Sequence, residues 1–362
     1  MKVILVFGTR PEAIKMAPVV KALESDAAFE SKVLVTAQHR EMLDQVLDFF
    51  NISPDFDLNV MKQGQSIEYI TEETLRGVSE ILKVEKPDAI LVHGDTTTTF
   101  AACLAATYLQ IPVGHIEAGM RTGDITQPFP EELNRTLVDR MARWNYAPSH
   151  ECEQNLFDEG IAHEKIIRTS HNTGVSALLL AQKELGIDLQ EENNSHQILV
   201  TAHRRESWGE GMREIFGAVR ELAQSHAEMT FKVATHANPI VADDAHVLLD
   251  DVSNVDLLGP QAYGDFVRLM ATSRLIMSDS GGVQEEGPTL GVPVVVMRNK
   301  TEYHELIEAG AVYLAGTSRE KIVAKVEDLL ASDEAGKRVY EFACRRSNID
   351  AVSPILDALK QG

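Results

Sequence analysis

Short apolar runs alternate with longer amphipathic stretches along the chain, the rhythm of strands buried in a parallel sheet and joined by helices. In the first half the runs at 2–8, 31–37, 89–95, 112–118 and 144–148 predict strands. The second half repeats the pattern at 197–202, 231–236, 255–259, 274–279, 293–297 and 311–315, with helical stretches such as 210–225 and 318–331 between them. Two doubly wound α/β units follow, as a length of 362 residues also implies, since single cores rarely grow beyond about 250–300 residues. A polar, acidic stretch at 185–196 lies between the halves, and a hinge nearer 168–174 fits the pattern as well. In open sheets ligands sit beyond the carboxyl ends of the strands, so the residues that follow each strand are the first to inspect.

Composition narrows the classes of partner. With 44% hydrophobic and 25% charged residues the chain is an ordinary globular one. A formal charge of -21 argues against nucleic acid or an anionic membrane as partner, because so acidic a surface repels phosphate unless its cations are concentrated locally. Cys103, Cys152 and Cys344 lie far apart and lack metal-ligand spacing, so neither a disulfide framework nor a zinc site is expected; buried free thiols are. The opening apolar run is too short for a signal peptide and no later stretch is long enough to span a bilayer, so a cytoplasmic location is expected.

Several strand ends carry reactive side chains. The first strand runs into Gly8-Thr9-Arg10-Pro11-Glu12, a glycine turn that opens a helix; the helix N-terminus and Arg10 suit an anion, although a plain turn with a solvated arginine reads equally well. No G-x-G-x-x-G dinucleotide fingerprint follows it. Asp95 ends the 89–95 run at a position suited to capping the next helix or to catalysis. Glu117 ends the next strand, and Glu131 and Glu132 open a helix after Pro128-Phe129-Pro130, where acidic residues also complement the dipole. Asp95, Glu117 and Glu131 all lie at or beyond strand ends of one half-sheet, where they could converge. In the second half, His203-Arg204-Arg205 follows strand 197–202, either as a solvated charge cluster or as cations for a diphosphate. Ser280-Gly281-Gly282 opens a helix after strand 274–279, where backbone N–H groups could hold a phosphate and Glu286, one to two turns on, could reach ribose hydroxyls.

Assembled, these segments resemble the non-hydrolysing UDP-N-acetylglucosamine 2-epimerases. The matching stretches are GTRPEAIKMAPVV (8–20), TAQHREMLDQVL (36–47), VHGDTTTTFA (92–101), PVGHIEAGMRTG (112–123), PFPEELNR (128–135), TAHRRES (201–207) and DSGGVQEEGPTLGVPVVVMR (279–298). The resemblance implies two Rossmann-like doubly wound domains facing across a cleft (GT-B-like), a homodimer, and no nicotinamide or metal cofactor. It places the carboxylate-bearing domain at 1–170, joined by a C-terminal helix at 350–362, and the UDP-binding domain at 171–349. It implies interconversion of UDP-N-acetylglucosamine and UDP-N-acetylmannosamine for surface polysaccharide and cell-wall synthesis. Catalysis is expected at Arg10, Asp95, Glu117, Glu131 and His203, and substrate binding at Lys15, Arg205, Ser280, Gly281, Gly282 and Glu286.

The chain departs from the family pattern in places. Thr301-Glu302-Tyr303-His304-Glu305 stands for T-E-R-P-E, Ser170-His171-Asn172-Thr173 replaces a T-G-N-T turn, Ser176 occupies a usual aspartate position, and the segment around Asn348 has lost an N-P-Y-G-D-G loop. Members often bind a second UDP-N-acetylglucosamine as activator; Gln38, His39, Arg204 and His236 remain for it. Glu41 stands where glutamine is frequent and Gly64 where arginine is frequent, so weak or absent activation is expected. The C2 proton of the sugar is not next to a carbonyl, so it must leave together with UDP, giving a 2-acetamidoglucal that takes UDP back after protonation on the opposite face. Alternatives are a hydrolysing epimerase, a GT-B glycosyltransferase, and a catalytically silent nucleotide-sugar-binding protein.

Overall fold

The computed structural model describes residues 1–37, 40–62, 64–189, 195–204, 208–235, 239–301 and 303–362. The chain divides into two compact units, Met1–Leu180 with Ile349–Gly362, and Ala181–Asn348.

The first unit is a sheet of seven strands: β1 (Lys2–Phe7), β2 (Glu30–Val35), β3 (Phe56–Asp57), β4 (Ala89–His93), β5 (Val113–Ile116), β6 (Trp144–Ala147) and β7 (Ile166–Arg168), in the order β3-β2-β1-β4-β5-β6-β7. Every pairing is parallel. Val3 to Phe7 are fully buried, and with both faces of the sheet covered by helices the strand reads as a continuous apolar run without alternation. β3 and β7 were not legible as apolar runs. β3 has only two residues, and β7 is a half-exposed edge strand of three.

The second unit repeats the arrangement with β8 (Gln197–Ala202), β9 (Thr230–Thr235), β10 (Val255–Leu258), β11 (Leu275–Ser278), β12 (Val294–Val296) and β13 (Val312–Leu314), all parallel in the order β10-β9-β8-β11-β12-β13. The helical stretches expected at 210–225 and 318–331 are the helices Glu210–Ser225 and Arg319–Leu330. The first buries Ile215, Phe216, Val219 and Leu222, spaced three and four apart, against β8, β9 and β11.

The division falls inside the Thr173–Glu184 helix, so its first turns stay with the first unit. The Ser353–Gln361 helix also belongs there. It buries Ile355 and Leu359, and Lys360 Nζ pairs with Asp26 at 2.7 Å. Asp350 starts it by accepting the Val352 and Ser353 N–H groups at 2.8 and 2.9 Å. Cys103 and Cys152 are buried thiols; Cys344 is exposed, contrary to expectation. Among the described residues no helix is long and apolar enough to cross a membrane. Strand order reverses between β1 and β4 in the first unit and between β8 and β11 in the second. These are the switch points at which open α/β sheets bind ligands.

Candidate functional site

At the first switch point β1 ends in Gly8, where a Cβ would lie 2.1 Å from Thr36 Oγ1 and 2.7 Å from Thr98 Oγ1, so only glycine lets this turn lie flush against its neighbours. Thr9 and Glu12 form a capping box for the Arg10–Ser25 helix, placing Arg10 at its first position. Glu12 does more than cap. Its buried carboxylate accepts Gly8 N (3.1 Å), Thr9 N (2.8 Å), Thr96 Oγ1 (2.7 Å) and Thr99 Oγ1 (3.1 Å), tying the turn after β1 to the turn after β4. Burial pushes its pKa up against the hydrogen bonds from Thr96, Thr9 and Gly8.

Asp95 does not cap a helix. The cap of the Thr97–Tyr108 helix is Thr96, whose Oγ1 accepts Thr99 N at 3.1 Å. The Asp95 carboxylate instead pairs with Arg135, while its carbonyl accepts Asn134 Nδ2 at 2.9 Å. Burial raises its pKa; Arg135 opposes this, and the charges of Glu117 and Glu131 add to the rise. The carboxylates of Glu117 and Glu131 thus both bear on Asp95. Glu131 opens the Glu131–Met141 helix half-buried. Its neighbour Glu132 is buried and structural, accepting Thr122 N (3.0 Å) and Gly123 N (3.1 Å).

Glu117 sits just beyond β5 with φ +68, a left-handed conformation that costs a non-glycine residue roughly 1–3 kcal/mol and collects at functional sites. Its Oε1 receives Lys15 Nζ at 2.5 Å and Asn172 Nδ2, and its Oε2 faces His93 Nε2 at 3.6 Å. Burial alone would raise this carboxyl, but the Lys15 ammonium and the hydrogen bonds outweigh it and bring the pKa down to about 2. Burial lowers the pKa of His93 to about 3, so the ring is neutral.

A buried charge network frames these loops. His115 Nδ1 meets Asp139 Oδ1 at 2.6 Å and its Nε2 meets the Gly94 carbonyl at 2.7 Å, so an acceptor on each side fixes the orientation of the ring. Asp139 Oδ2 accepts Gly119 N (3.2 Å) and Arg121 Nη2 (2.8 Å), and Arg121 continues to Glu159 at 2.6 Å. Asp139 thereby joins the helix bearing Glu131 and Arg135 to the strand ends bearing Asp95 and Glu117. Gly119, at φ +83, would place a Cβ 2.3 Å from the Cys152 carbonyl oxygen. Gly119→Ala is accordingly expected to destabilise the first unit by at least about 1–3 kcal/mol, read as a lowered urea midpoint at unchanged slope.

At the second switch point Asp279, fully buried after β11, accepts His203 N at 2.9 Å and Arg204 N at 2.9 Å, and His203 Nδ1 lies 3.6 Å from it. The backbone of His203 and Arg204, just after β8, is thus anchored on Asp279. Ser280 precedes the Gly281–Thr289 helix without capping it by its side chain, and Gly282 in its first turn is exposed. The Glu286 carboxylate leans toward Gly282, 3.9 Å from where a Cβ would stand. Gln284 fixes this turn, donating to the Ser280 carbonyl at 3.2 Å and accepting Thr301 Oγ1 at 2.5 Å.

The first unit therefore brings together Lys15, Asp95, Glu117 and Glu131, with Arg10 on the adjoining turn; the second assembles His203 and Arg204 with Ser280, Gly281, Gly282 and Glu286. Gln38, His39, Arg205 and His236 lie outside the described residues. Sequence reasoning missed His93, Arg135, Asn172, Asp139 and Asp279. Arg135 carried a signal, standing one helical turn after Glu131, as did His93, a titratable side chain ending a strand otherwise apolar. Asn172 carried none. It is the asparagine kept from the altered T-G-N-T turn, where Ser170 takes φ +66 and the His171 carbonyl accepts Thr169 Oγ1 at 2.9 Å. Ser176 Oγ accepts Ala351 N at 3.4 Å, Tyr303 N donates to Thr301 Oγ1 at 3.3 Å, and His304 and Asn348 are exposed. Among the described residues no three His, Cys, Asp or Glu side chains converge as metal ligands would.

Replacing Arg135 removes the cation that opposes the rise at Asp95. Arg135→Gln is expected to displace one limb of the kcat/KM pH profile toward higher pH, as a pH-rate series would measure.

Two doubly wound units, whose strand orders agree except for the added edge strand β7 in the first, with ionisable groups gathered at a switch point, define a Rossmann-type α/β protein. The family model for UDP-N-acetylglucosamine 2-epimerase matches residues 21–360. The chain is 47% identical to the UDP-N-acetylglucosamine 2-epimerase of Escherichia coli (strain K12), over 99% of this chain and 98% of the relative. Among solved structures, the UDP-GlcNAc 2-epimerase of Neisseria meningitidis bound to UDP-GlcNAc superposes with a TM-score of 0.83 at 44% identity, covering 100% of both chains. The Methanocaldococcus jannaschii UDP-GlcNAc 2-epimerase in complex with UDP-GlcNAc and UDP gives 0.75 at 29% identity, again over 100% of both. This chain belongs to the UDP-N-acetylglucosamine 2-epimerase family.

Proposed function

We propose that the chain interconverts UDP-N-acetylglucosamine and UDP-N-acetylmannosamine by eliminating UDP across C1 and C2 and adding it back through a 2-acetamidoglucal. The observation that carries this reading is the divergence of two neighbouring carboxyls. Burial pushes Asp95 up while Lys15 brings Glu117 down, and groups whose environments drive their proton affinities apart serve as acid and base. Elimination takes the proton from C2 as the C1–O bond breaks and both electrons of that bond leave with UDP. Readdition forms a new C1–O bond as C2 is protonated from its other face. Asp95, Glu117 and Glu131 are the proton-handling groups, and Arg10 and His203 stabilise the departing diphosphate. Ser280, Gly281 and Gly282, at a helix N-terminus, suit the diphosphate, Glu286 the ribose, and Lys15 and Arg205 supply further cations. No nicotinamide or metal enters this scheme.

Proton NMR of UDP-N-acetylglucosamine with the protein in heavy water tests it. The expected result is UDP-N-acetylmannosamine carrying deuterium at C2. Free N-acetylmannosamine with UDP would mark a hydrolysing enzyme, and absence of exchange a binding protein. The family resemblance further supports a homodimer in the cytoplasm, which sedimentation and cell fractionation measure. Activation by a second UDP-N-acetylglucosamine is expected to be weak. Glu41 is an exposed anion in the first turn of the Arg40–Phe49 helix, and Gly64 takes φ +71, where an arginine would be strained. A lag in the reverse reaction abolished by added UDP-N-acetylglucosamine would contradict this.

A further inference from the structure

His93 ends β4 with its side chain 3% exposed and its Nε2 without a hydrogen-bond partner. A buried polar atom in that position carries a desolvation penalty that native proteins seldom keep without use. The atom faces Glu117 Oε2 at 3.6 Å, while Oε1 is already taken by Lys15 Nζ and Asn172 Nδ2. The two oxygens of Glu117 are therefore unlike. Oε1 is occupied by two donors, and Oε2 retains the capacity to take a proton. Behind Oε2 stands Gly94, where a Cβ would come within 3.4 Å.

We propose that His93 is a positioning residue for the reaction: Glu117 Oε2 is the oxygen that exchanges the sugar proton, and the His93 imidazole, donating from Nε2, fixes where that oxygen lies. The inference rests on Glu117 being a catalytic carboxylate. At 3.6 Å the contact is longer than a hydrogen bond, and catalytic hydrogen bonds are often long before substrate closes them. A neutral ring suits the task, because it orients the carboxylate without adding a second full cation beside Lys15. Around the pair stand Lys15 from the Arg10–Ser25 helix, Asp95 from the turn after β4, His115 from β5 and Cys152 from the His150–Asp158 helix; burial, helped by Lys15 and His115, keeps the ring uncharged, and Lys15 keeps Glu117 ionised.

His93→Phe and His93→Leu remove the ring nitrogens, and His93→Gln sets an amide nitrogen near the place of Nε2. Steady-state kinetics on UDP-N-acetylglucosamine are expected to show kcat lowered roughly 10- to 100-fold in the two apolar variants, the ratio matching one hydrogen bond to a charged group. KM is expected to change less than about threefold. His93→Gln is expected to recover most of the loss. A merely structural role would lower thermal stability and raise KM in all three variants alike. Wild-type kcat in a folded His93→Phe or His93→Leu protein, or a His93→Gln protein as slow as the apolar pair, overturns the proposal. Glu117→Gln is measured in parallel: full turnover there removes Glu117 itself, whereas lost turnover beside an unaffected His93→Phe removes only the role of His93.

Discussion

Glu117→Gln is expected to lower turnover of UDP-N-acetylglucosamine at least ~100-fold, the usual scale for a lost acid or base, and Asp95→Asn and Glu131→Gln to do likewise. The glutamine is close in size and its carbonyl can still accept from Lys15 and Asn172, so the left-handed turn and the packing around it survive. What it loses is the capacity of one oxygen to take a proton. The loss is expected in kcat with KM little changed, because a carboxylate that acts on C2 matters mainly in the transition state. The same variant also leaves Lys15 without its anion, so it is paired with Lys15→Met. If the unpaired lysine were the whole effect, the double variant would be no slower than Lys15→Met alone; if proton transfer is lost, it is slower still. Near wild-type turnover in all three carboxylate variants would take them out of the mechanism.

The reach of the sequence follows from how each feature is encoded. Strands such as β1 and β8 are buried on both faces, so their positions are written as unbroken apolar runs, and the doubly wound order follows once helices alternate with them. β3 and β7 are too short to leave such a run. The carboxylates were legible because an open sheet puts its chemistry after its strands. Their partners were not. At Asp95-Thr96 two good capping residues adjoin, and only the backbone decides that the threonine caps and the aspartate turns to Arg135. Lys15, expected to bind substrate, also pairs with Glu117, and Asn172 reaches the same oxygen from 55 positions along the chain. Contacts of that separation leave no local pattern. The positive φ of Glu117 is equally silent, since a glutamate gives no sign of that conformation as a glycine would.

Asp139→Asn is expected to destabilise the first unit by about 3–5 kcal/mol, the cost of leaving buried charge without its partner. The Asp139 and His115 side chains are both fully buried, and the Arg121 side chain is 10% exposed. An asparagine could keep one oxygen toward Arg121 and Gly119, but it would turn an amide N–H group toward the donating Nδ1 of His115, setting donor against donor. Removing Asp251 from the solvent-exposed pair with Arg220 is expected to change stability little, which makes Asp251→Asn a control for loss of charge as such. Acid titration separates the two further. Burial works to raise the Asp139 carboxyl, but His115 and Arg121 outweigh it and hold the folded pKa below the ordinary value. A carboxyl depressed by folding contributes fully above its unfolded pKa, near about 3.9, and loses that contribution as pH falls toward the folded value. Urea unfolding at neutral pH, near pH 5 and near pH 3 is therefore expected to show the full gap between wild type and Asp139→Asn at the two higher values and a narrower one in acid. A gap that widened in acid would mean that Asp139 already carries its proton in the folded protein, and then the network would be held by a neutral acid instead of an ion.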